Sequence, residues 1–376
     1  MSGEVLSDGQ MKRMVEGGAI KNVDMNLHNP GSWDLRLDVE KWKLLASVSP
    51  LRGQSVKDLI ENSGVVDVGN NTKDEFYLDR NQPYLFKLME ELKLPSGICA
   101  KVFNKSGRGR IGTSVRILCD GVPRFDQVPL GYKGPLYAEV TATAFPEVVS
   151  SRMAMPQIRF YEGSPQRIKG FDLELLLKKE PILLDNSGES FYKTKQEMKE
   201  ITESGRLVFT ADLSKNLLAY RAKQDARTID LRKKEYYNSS DFFIEERFVD
   251  GKKPGVIVHP GEFVLVGAKQ NIRLPENYAG DIDEYSPEMG DMKSHYAGII
   301  NPGHGYTSKF SEDHIVFEMR ARDIPIFLYD GKPLASFGIY KMSEVPEEKY
   351  VKKRSTSFDC LKSILPSQFK KSGNGE

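Results

Sequence analysis

The chain is poor in the residues that hold most structural metals. Of its 376 residues three are cysteine, Cys99, Cys119 and Cys360, and five are histidine. The cysteines are scattered and form no CxxC pair, so a structural zinc site has no ligand set. The same gap removes the H-x-E…P-C-x-x-C arrangement of zinc-dependent base chemistry. Charge of one sign is also missing. Lys and Arg number 54 against 53 Asp and Glu, a net charge of +1. A dedicated nucleic-acid partner is therefore not expected, although a local basic cluster can still hold a small anion. No apolar run approaches the roughly 18 residues of a membrane helix. The opening MSGEVLSDGQ is too polar for a signal peptide. The expectation is a cytoplasmic protein with no membrane partner.

What is present suits a packed interior: 39% of residues are hydrophobic and 10% aromatic, over a length that accommodates two domains. Residues 5–20, VLSDGQMKRMVEGGAI, predict a short helix capped by Ser7 or Asp8 and ended by Gly17-Gly18. SWDLRLDVEKWKLLA alternates as a strand. Trp33, Leu35 and Leu37 share one face, and Asp34 and Arg36 the other, where strand charges ordinarily meet solvent as a cross-strand pair. Within residues 76–95 the run KLMEELKL has helical propensity, yet Pro83 and Pro95 bracket it at strand length, which favours a strand. SSRMAMPQIRFYEG, residues 150–163, reads as another strand closing in a turn.

The texture changes near residue 172, where charged segments with helical spacing alternate with turn residues. Residues 1–180 are accordingly read as a first unit, 181–205 as a connector, and 206–376 as a second unit with a basic C-terminal tail. In the second unit LVFTADL, LLAYRAK and TIDLRKKEYY are short strand-like runs. The two units echo each other. PYLFKLMEELKLPSG and EFVLVGAKQNIRLPENY both alternate and close in Leu-Pro, at Pro95 and Pro275. Each is followed by one acid in an apolar strand, Glu139 about 44 residues on and Glu318 about 43. Tandem duplication of a β-rich unit accounts for this, and many short strands with Gly and Pro turns favour a barrel or sandwich in each.

The chemistry concentrates between Asn104 and Glu139. In NKSGRGRIG, Lys105, Ser106, Arg108 and Arg110 lie among Gly107, Gly109 and Gly112. Glycine lets backbone approach a ligand, and Lys and Arg partner phosphate. A solvated turn is the plainer alternative. Glu139 in PLYAEVTATAF is either a general acid/base whose pKa a dry site raises, or a strand acid paired structurally with Arg116 or another base. The second unit offers Glu318, His295, Asn301 and His304, but SPEMGDMKSHYAG lacks the basic loop. Its histidines are more readily structural, and the second unit is expected to be structural or to complete the first unit's site.

Taken together these motifs resemble the deoxycytidine triphosphate deaminases of the dUTPase-like superfamily. HPGEFVLVGAKQNIRLPENYAG is similar to that family's HPGEF…LP signature. FDQVPLGYKGPLYAEV and HYAGIINPGHG resemble its long, two-unit form, and SDGQMKRMVEGGAI with NPGSWDLRLD its opening helix and first strand. The resemblance implies a mainly β fold of two tandem dUTPase-like barrel or sandwich units with a few short helices. It places the family's basic-Ser-Ser-x-x-Arg loop on residues 105–110, with Gly107 at the second serine, and the catalytic glutamate on Glu139. It then implies hydrolysis of dCTP to dUTP and ammonia, with Glu139 activating water and Ser106 and Arg110 holding water, base or phosphate. Lys105, Arg108, Arg116, Asp126 and Gln157 complete the expected nucleotide-binding set. Magnesium would accompany the triphosphate, zinc would play no part, and the site would lie in a three-fold homo-oligomer. Two other readings stay open: a pyrophosphohydrolase acting on dUTP, alone or after deamination, with Asp126 positioning water at the α-phosphate, and a nucleotide-binding protein without turnover.

Overall fold

The computed structural model describes residues 3–68, 73–249, 255–283, 290–293, 298–306, 315–350 and 364–370. The chain opens with the helix Asp8–Glu16, where Ser7 and Gln10 form a reciprocal capping box and Gly17 is the C-cap. The first unit is a curved, barrel-like sheet. Its strand order is Thr113–Cys119, Lys133–Ala142, Pro83–Lys93, Ser32–Leu44, Ala154–Glu162, Ile98–Asn104 and Gln127–Val128. Pro83–Lys93 is a strand, since its Leu85, Phe86, Leu88 and Leu92 are drawn into the interior. Trp33, Leu35 and Leu37 are fully buried, as their alternation predicts.

Asp34 and Arg36 depart from expectation. They are not an exposed pair: Asp34 is 7% exposed and joined to Lys105, while Arg36 meets the fully buried Glu90 at 2.7 Å. The strand Ser32–Leu44 is central, flanked by Pro83–Lys93 and Ala154–Glu162, so its charges find partners on neighbouring elements.

The second unit repeats the first in register. Glu139 lies opposite Leu85 and Glu318 opposite Leu265, each leucine ten residues before its Leu-Pro proline. Tyr161 lies opposite Cys99 and Tyr340 opposite Ala279, each partner four residues after that proline. The antiparallel pair of Glu75–Leu78 with Glu147–Ser150 is matched by Gly255–Val258 with Ile326–Tyr329.

These equivalent positions meet at the seam between units. Cys99, Tyr161, Ala279 and Tyr340 form one buried cluster with Val5 and Met342, the two tyrosine rings edge-on at 5.9 Å. Beside them the wholly buried Arg159 donates to the carbonyls of Gly31 and Gly280 at 2.9 and 2.8 Å and to Asp281 at 2.6 Å. Tyr161 donates to the other oxygen of Asp281, and Lys101 lies 3.5 Å from it. A buried charge is tolerable here because every donor has an acceptor.

The helices Gly170–Lys179 and Lys195–Ser204 run between the units, and their Leu173, Leu176, Leu177 and Ile201 enter the second core with Phe209, Phe317 and Phe337. The first core extends into the second half through Phe242 and Phe243, which meet Phe145 edge-on, and through Tyr237 and Phe369, which pack on Phe242. TIDLRKKEYY contributes only a short strand, Ile229–Asp230, and it pairs in parallel with Glu147–Val148 of the first unit. Among the described residues no helix is long and apolar enough to cross a membrane.

Candidate active site

Glu139 sits on a strand whose alternation sends Leu136, Ala138, Val140 and Ala142 into the core. Tyr137 and Glu139 therefore face the other side, where the chain from Leu44 to Val66 forms a cap. The helix Val56–Asn62 anchors this cap: Ser55 caps it, and the amide of Val56 donates to Asp120 at 2.8 Å. Leu44, Val56, Ile60, Leu85, Leu118 and Tyr137 form its own apolar cluster, with Val48 and Phe125 against it. Under that cap Glu139 is 6% exposed. Ser47 Oγ donates to its Oε1 at 2.8 Å and the Val48 amide to its Oε2 at 3.1 Å. Burial raises the carboxyl pKa, opposed by the Ser47 and Val48 bonds and by the charge of Arg116. A carboxyl whose pKa burial raises holds its proton more readily than an exposed one.

Arg116 stands directly opposite Glu139 in the strand pairing, yet its ion pair is with Asp126. Its guanidinium also lies 4.8 Å from the centre of the Phe125 ring. The simple Glu139–Arg116 ion pair is thus replaced by direct bonds from Ser47 and Val48, with Arg116 acting through its field. Asp126, at φ 63, also accepts from the Ile117 amide at 2.7 Å.

The basic loop forms a second cluster. Asn104 Nδ2 donates to the Thr113 carbonyl at 2.6 Å and closes the loop's base, and Gln157 Nε2 donates to the Asn104 carbonyl at 3.3 Å. Within the loop Ser106–Gly109 is a single helical turn. Gly112, at φ +91, lies so close to Ala144 that a Cβ would sit 2.5 Å from that methyl carbon. Ser106 and Gly107 are exposed, whereas Arg110 is 4% exposed. Lys105 is joined to Asp34. Arg108 Nη1 donates to the Leu231 carbonyl at 3.5 Å, and burial lowers its pKa, opposed in part by the charges of Glu147 and Asp34. Both oxygens of the fully buried Glu147 accept from Thr113 Oγ1 at 2.9 Å, and burial pushes that acid up to about 8. The loop is therefore an anchored structure with an exposed Ser106–Gly107 tip, not a plain solvated turn.

The fold keeps the two clusters apart within one chain. Thr113 and Arg116 point to opposite faces of the same strand, Thr113 toward Glu147 and Arg116 on the side of Glu139. Among the described residues the polar partners of Glu139 are Ser47, Val48 and Arg116, and none comes from residues 105–110.

In the second unit Glu318 is 4% exposed, and Arg320, two residues on, is lowered to about 10 by burial and by the charge of Arg80. Asn301 faces Ser32 Oγ and Arg159, both at 3.4 Å, and so belongs to the seam. His304 is buried, its ring 5.3 Å from that of Tyr350. His295 lies outside the described residues. Sequence reasoning missed Ser47, Val48 and Glu147. Only Glu147 carried a signal, as a lone acid in AFPEVVS.

Comparison with known proteins places both halves. The model of the 2'-deoxycytidine 5'-triphosphate deaminase N-terminal domain matches residues 2–164, and that of the C-terminal domain residues 183–369. A crystal structure of 2'-deoxycytidine 5'-triphosphate deaminase from Agrobacterium tumefaciens superposes with a TM-score of 0.79 at 27% identity, covering 92% of this chain and 99% of that one. Two curated relatives carry the name "dCTP deaminase, dUMP-forming". The Corynebacterium glutamicum protein is 31% identical over 99 residues, 26% of this chain and 49% of the relative. The Mycobacterium tuberculosis protein is 31% identical over 112 residues, 29% of this chain and 54% of the relative. The chain thus spans about half the length of the curated relatives it matches.

Proposed function

Since this chain belongs to the 2'-deoxycytidine 5'-triphosphate deaminase family, we propose that it hydrolyses dCTP to dUTP and ammonia with Glu139 as general acid/base. The observation that carries this reading is the capped, 6%-exposed Glu139, whose pKa burial raises. In the proposed step the carboxylate takes a proton from water as the water oxygen bonds to C4 of cytosine. The carboxylic acid then returns that proton to the exocyclic nitrogen, the C4–N bond breaks with its electron pair leaving on ammonia, and the proton remaining on the new C4 hydroxyl passes to N3 to give the uracil carbonyl. Such a group contributes about 10²–10⁴-fold. Ser47 and Val48 use two of the roughly four acceptor positions of the carboxylate, which leaves room for water.

Ser106, Gly107 and Arg110 are assigned to the nucleotide, with Lys105 beside them. Because this loop and Glu139 are separate clusters within one chain, the proposed enzyme is a three-fold homo-oligomer in which the loop of one chain meets Glu139 of the next. Magnesium is assigned to the triphosphate. Among the described residues no group of three His, Cys, Asp or Glu side chains is placed to hold an ion, so phosphate oxygens and water would be its ligands.

The names of the Corynebacterium and Mycobacterium relatives favour a second reading, in which pyrophosphate is also released and dUMP is the product. One experiment separates the two. Purified protein is incubated with dCTP and magnesium, and ammonia and pyrophosphate are measured together, with Glu139→Gln alongside. Ammonia alone, lost in Glu139→Gln, supports the first reading, and both products support the second. Nucleotide binding with neither product rejects both and leaves a binding protein.

A further inference from the structure

Arg108 lies in the middle of the loop assigned to the nucleotide phosphates, yet its guanidinium is engaged inside the protein. Its hydrogen-bond acceptor, the Leu231 carbonyl, belongs to the second unit. The segment bearing Leu231 runs along the first unit: the Ile229 amide donates to the Pro146 carbonyl at 2.9 Å and the Leu231 amide to the Val148 carbonyl at 3.0 Å. Asp230 between them pairs with Arg232, which reaches Glu75 of the first unit. The strand so covered carries Glu147, and Glu147 holds Thr113 at the base of the loop.

The Leu231 carbonyl has a second donor. Gln368, 3% exposed, donates to it through Nε2 at 3.1 Å. Gln368 is itself fixed, since its carbonyl accepts from the amides of Tyr236 and Tyr237 at 2.9 and 3.0 Å. Phe369 beside it packs edge-on against Phe242 and Phe243 at 5.5 and 5.4 Å. A carbonyl oxygen has two lone pairs, and here one serves the C-terminal segment and the other the loop.

We propose that the second unit is an internal strut for the phosphate loop, with the Leu231 carbonyl, held by Gln368, fixing Arg108 and through it the residues 105–110. Arg108 and Gln368 are then positioning residues, and Arg108 is not a phosphate ligand. A phosphate ligand keeps its donors turned to the ligand, whereas Arg108 Nη1 donates to the Leu231 carbonyl, and the charges of Glu147 and Asp34 favour its charged form where it stands. The proposal rests on the reading of this loop as the nucleotide site, and it gives the otherwise site-poor second half a part in the function of the first.

A double-mutant cycle tests it, with Arg108→Gln and Gln368→Ala in the full-length protein. Arg108→Gln should raise KM for dCTP about tenfold, the scale of one charged hydrogen bond, and Gln368→Ala about fivefold, the scale of a neutral one, with kcat changed less than about twofold in each. The double variant should be no worse than the stronger single one, because both cut the same strut. Hydrogen exchange at the amides of residues 105–112 should accelerate in both singles. Should Gln368→Ala not fold, Gln368→Asn keeps the amide on a shorter stem and takes its place. The proposal is overturned if Gln368→Ala leaves KM and exchange at wild-type values, or if the two effects multiply, as they would if Arg108 bound phosphate itself. Accelerated exchange in a protein that releases no ammonia from dCTP would keep the strut and reject the deaminase reading. Ammonia release with unchanged exchange would do the reverse.

Discussion

Replacing Ser47 by alanine removes the hydroxyl that donates to Glu139 at 2.8 Å and leaves the Val48 amide in place. A hydrogen bond to an ionised group contributes about 1.5–3 kcal/mol, and one pKa unit corresponds to about 1.4 kcal/mol. The missing bond should therefore lift the Glu139 pKa by about one to two units. Ser47 is itself exposed, so water replaces part of the loss and the lower figure, about one unit, is expected. The bond favours the ionised form, so its removal moves the pKa upward. In a pH profile of kcat/KM for ammonia release, which reports the free enzyme, the acid limb should shift up by about one unit. Below the limb the variant should be about tenfold slower, and on the plateau equal to wild type. Stability carries the same sign. The folded pKa of Glu139 lies above its ordinary 4.5, so the folded state loses stability as pH rises from that value through the raised one. Ser47→Ala extends this fall to higher pH. A stationary or descending acid limb, with a lowered plateau, would refute the assignment of Ser47 as the partner that sets Glu139.

Glu147→Gln keeps an acceptor for Thr113 and removes an acid whose pKa is about 8 when folded against 4.5 as the reference. Wild type should lose stability between those values and the variant should not, so melting temperatures should match near pH 4 and favour the variant near pH 9. Gly107→Ser fills open space, since no atom lies within 4 Å of a Cβ there. Chemical denaturation should find it unchanged or stabilised by up to about 0.5 kcal/mol, and a clear loss of stability would contradict the open loop tip. Asp281→Ala strands the buried Arg159 and should cost about 3–5 kcal/mol in urea unfolding. Arg159→Met combined with Asp281→Leu should cost much less than the two single changes added together.

Local rules made much of the fold legible. Ser7 caps the first helix as its hydroxyl and the Gln three residues on require, and the prolines around KLMEELKL outweighed its helical propensity because they limited its length. The repeat was visible in two Leu-Pro endings and two lone acids, and the strand registers agree with it. What stayed hidden depends on tertiary position. Asp34 and Arg36 have the pattern of a solvent face, and only the placing of their strand between two others turns them inward. Ser47 is a serine in an irregular segment with nothing in its neighbours to mark it. TIDLRKKEYY has strand character, but its pairing partner is in the other unit, and no spacing within a run reveals that. Arg108 was grouped with the phosphate ligands by composition, and its engagement with Leu231 is a contact across 123 residues of chain.

The seam between the units has an evolutionary consequence. Lys101 and Asp281 occupy the same place in the repeat, each six residues after its Leu-Pro proline, and they face each other 3.5 Å apart. Arg159 and Gly338 are likewise equivalent, lying opposite Lys101 and Asp281 in their strands. Two identical copies of either unit joined in this way would set lysine against lysine or aspartate against aspartate, and would bring either two arginines or none to the junction. Only two units of different sequence can place opposite charges at one repeated position, and here a single chain supplies both. Having done so, each half has become the obligate complement of the other, and a return to free, interchangeable subunits would require both sides of the seam to change together.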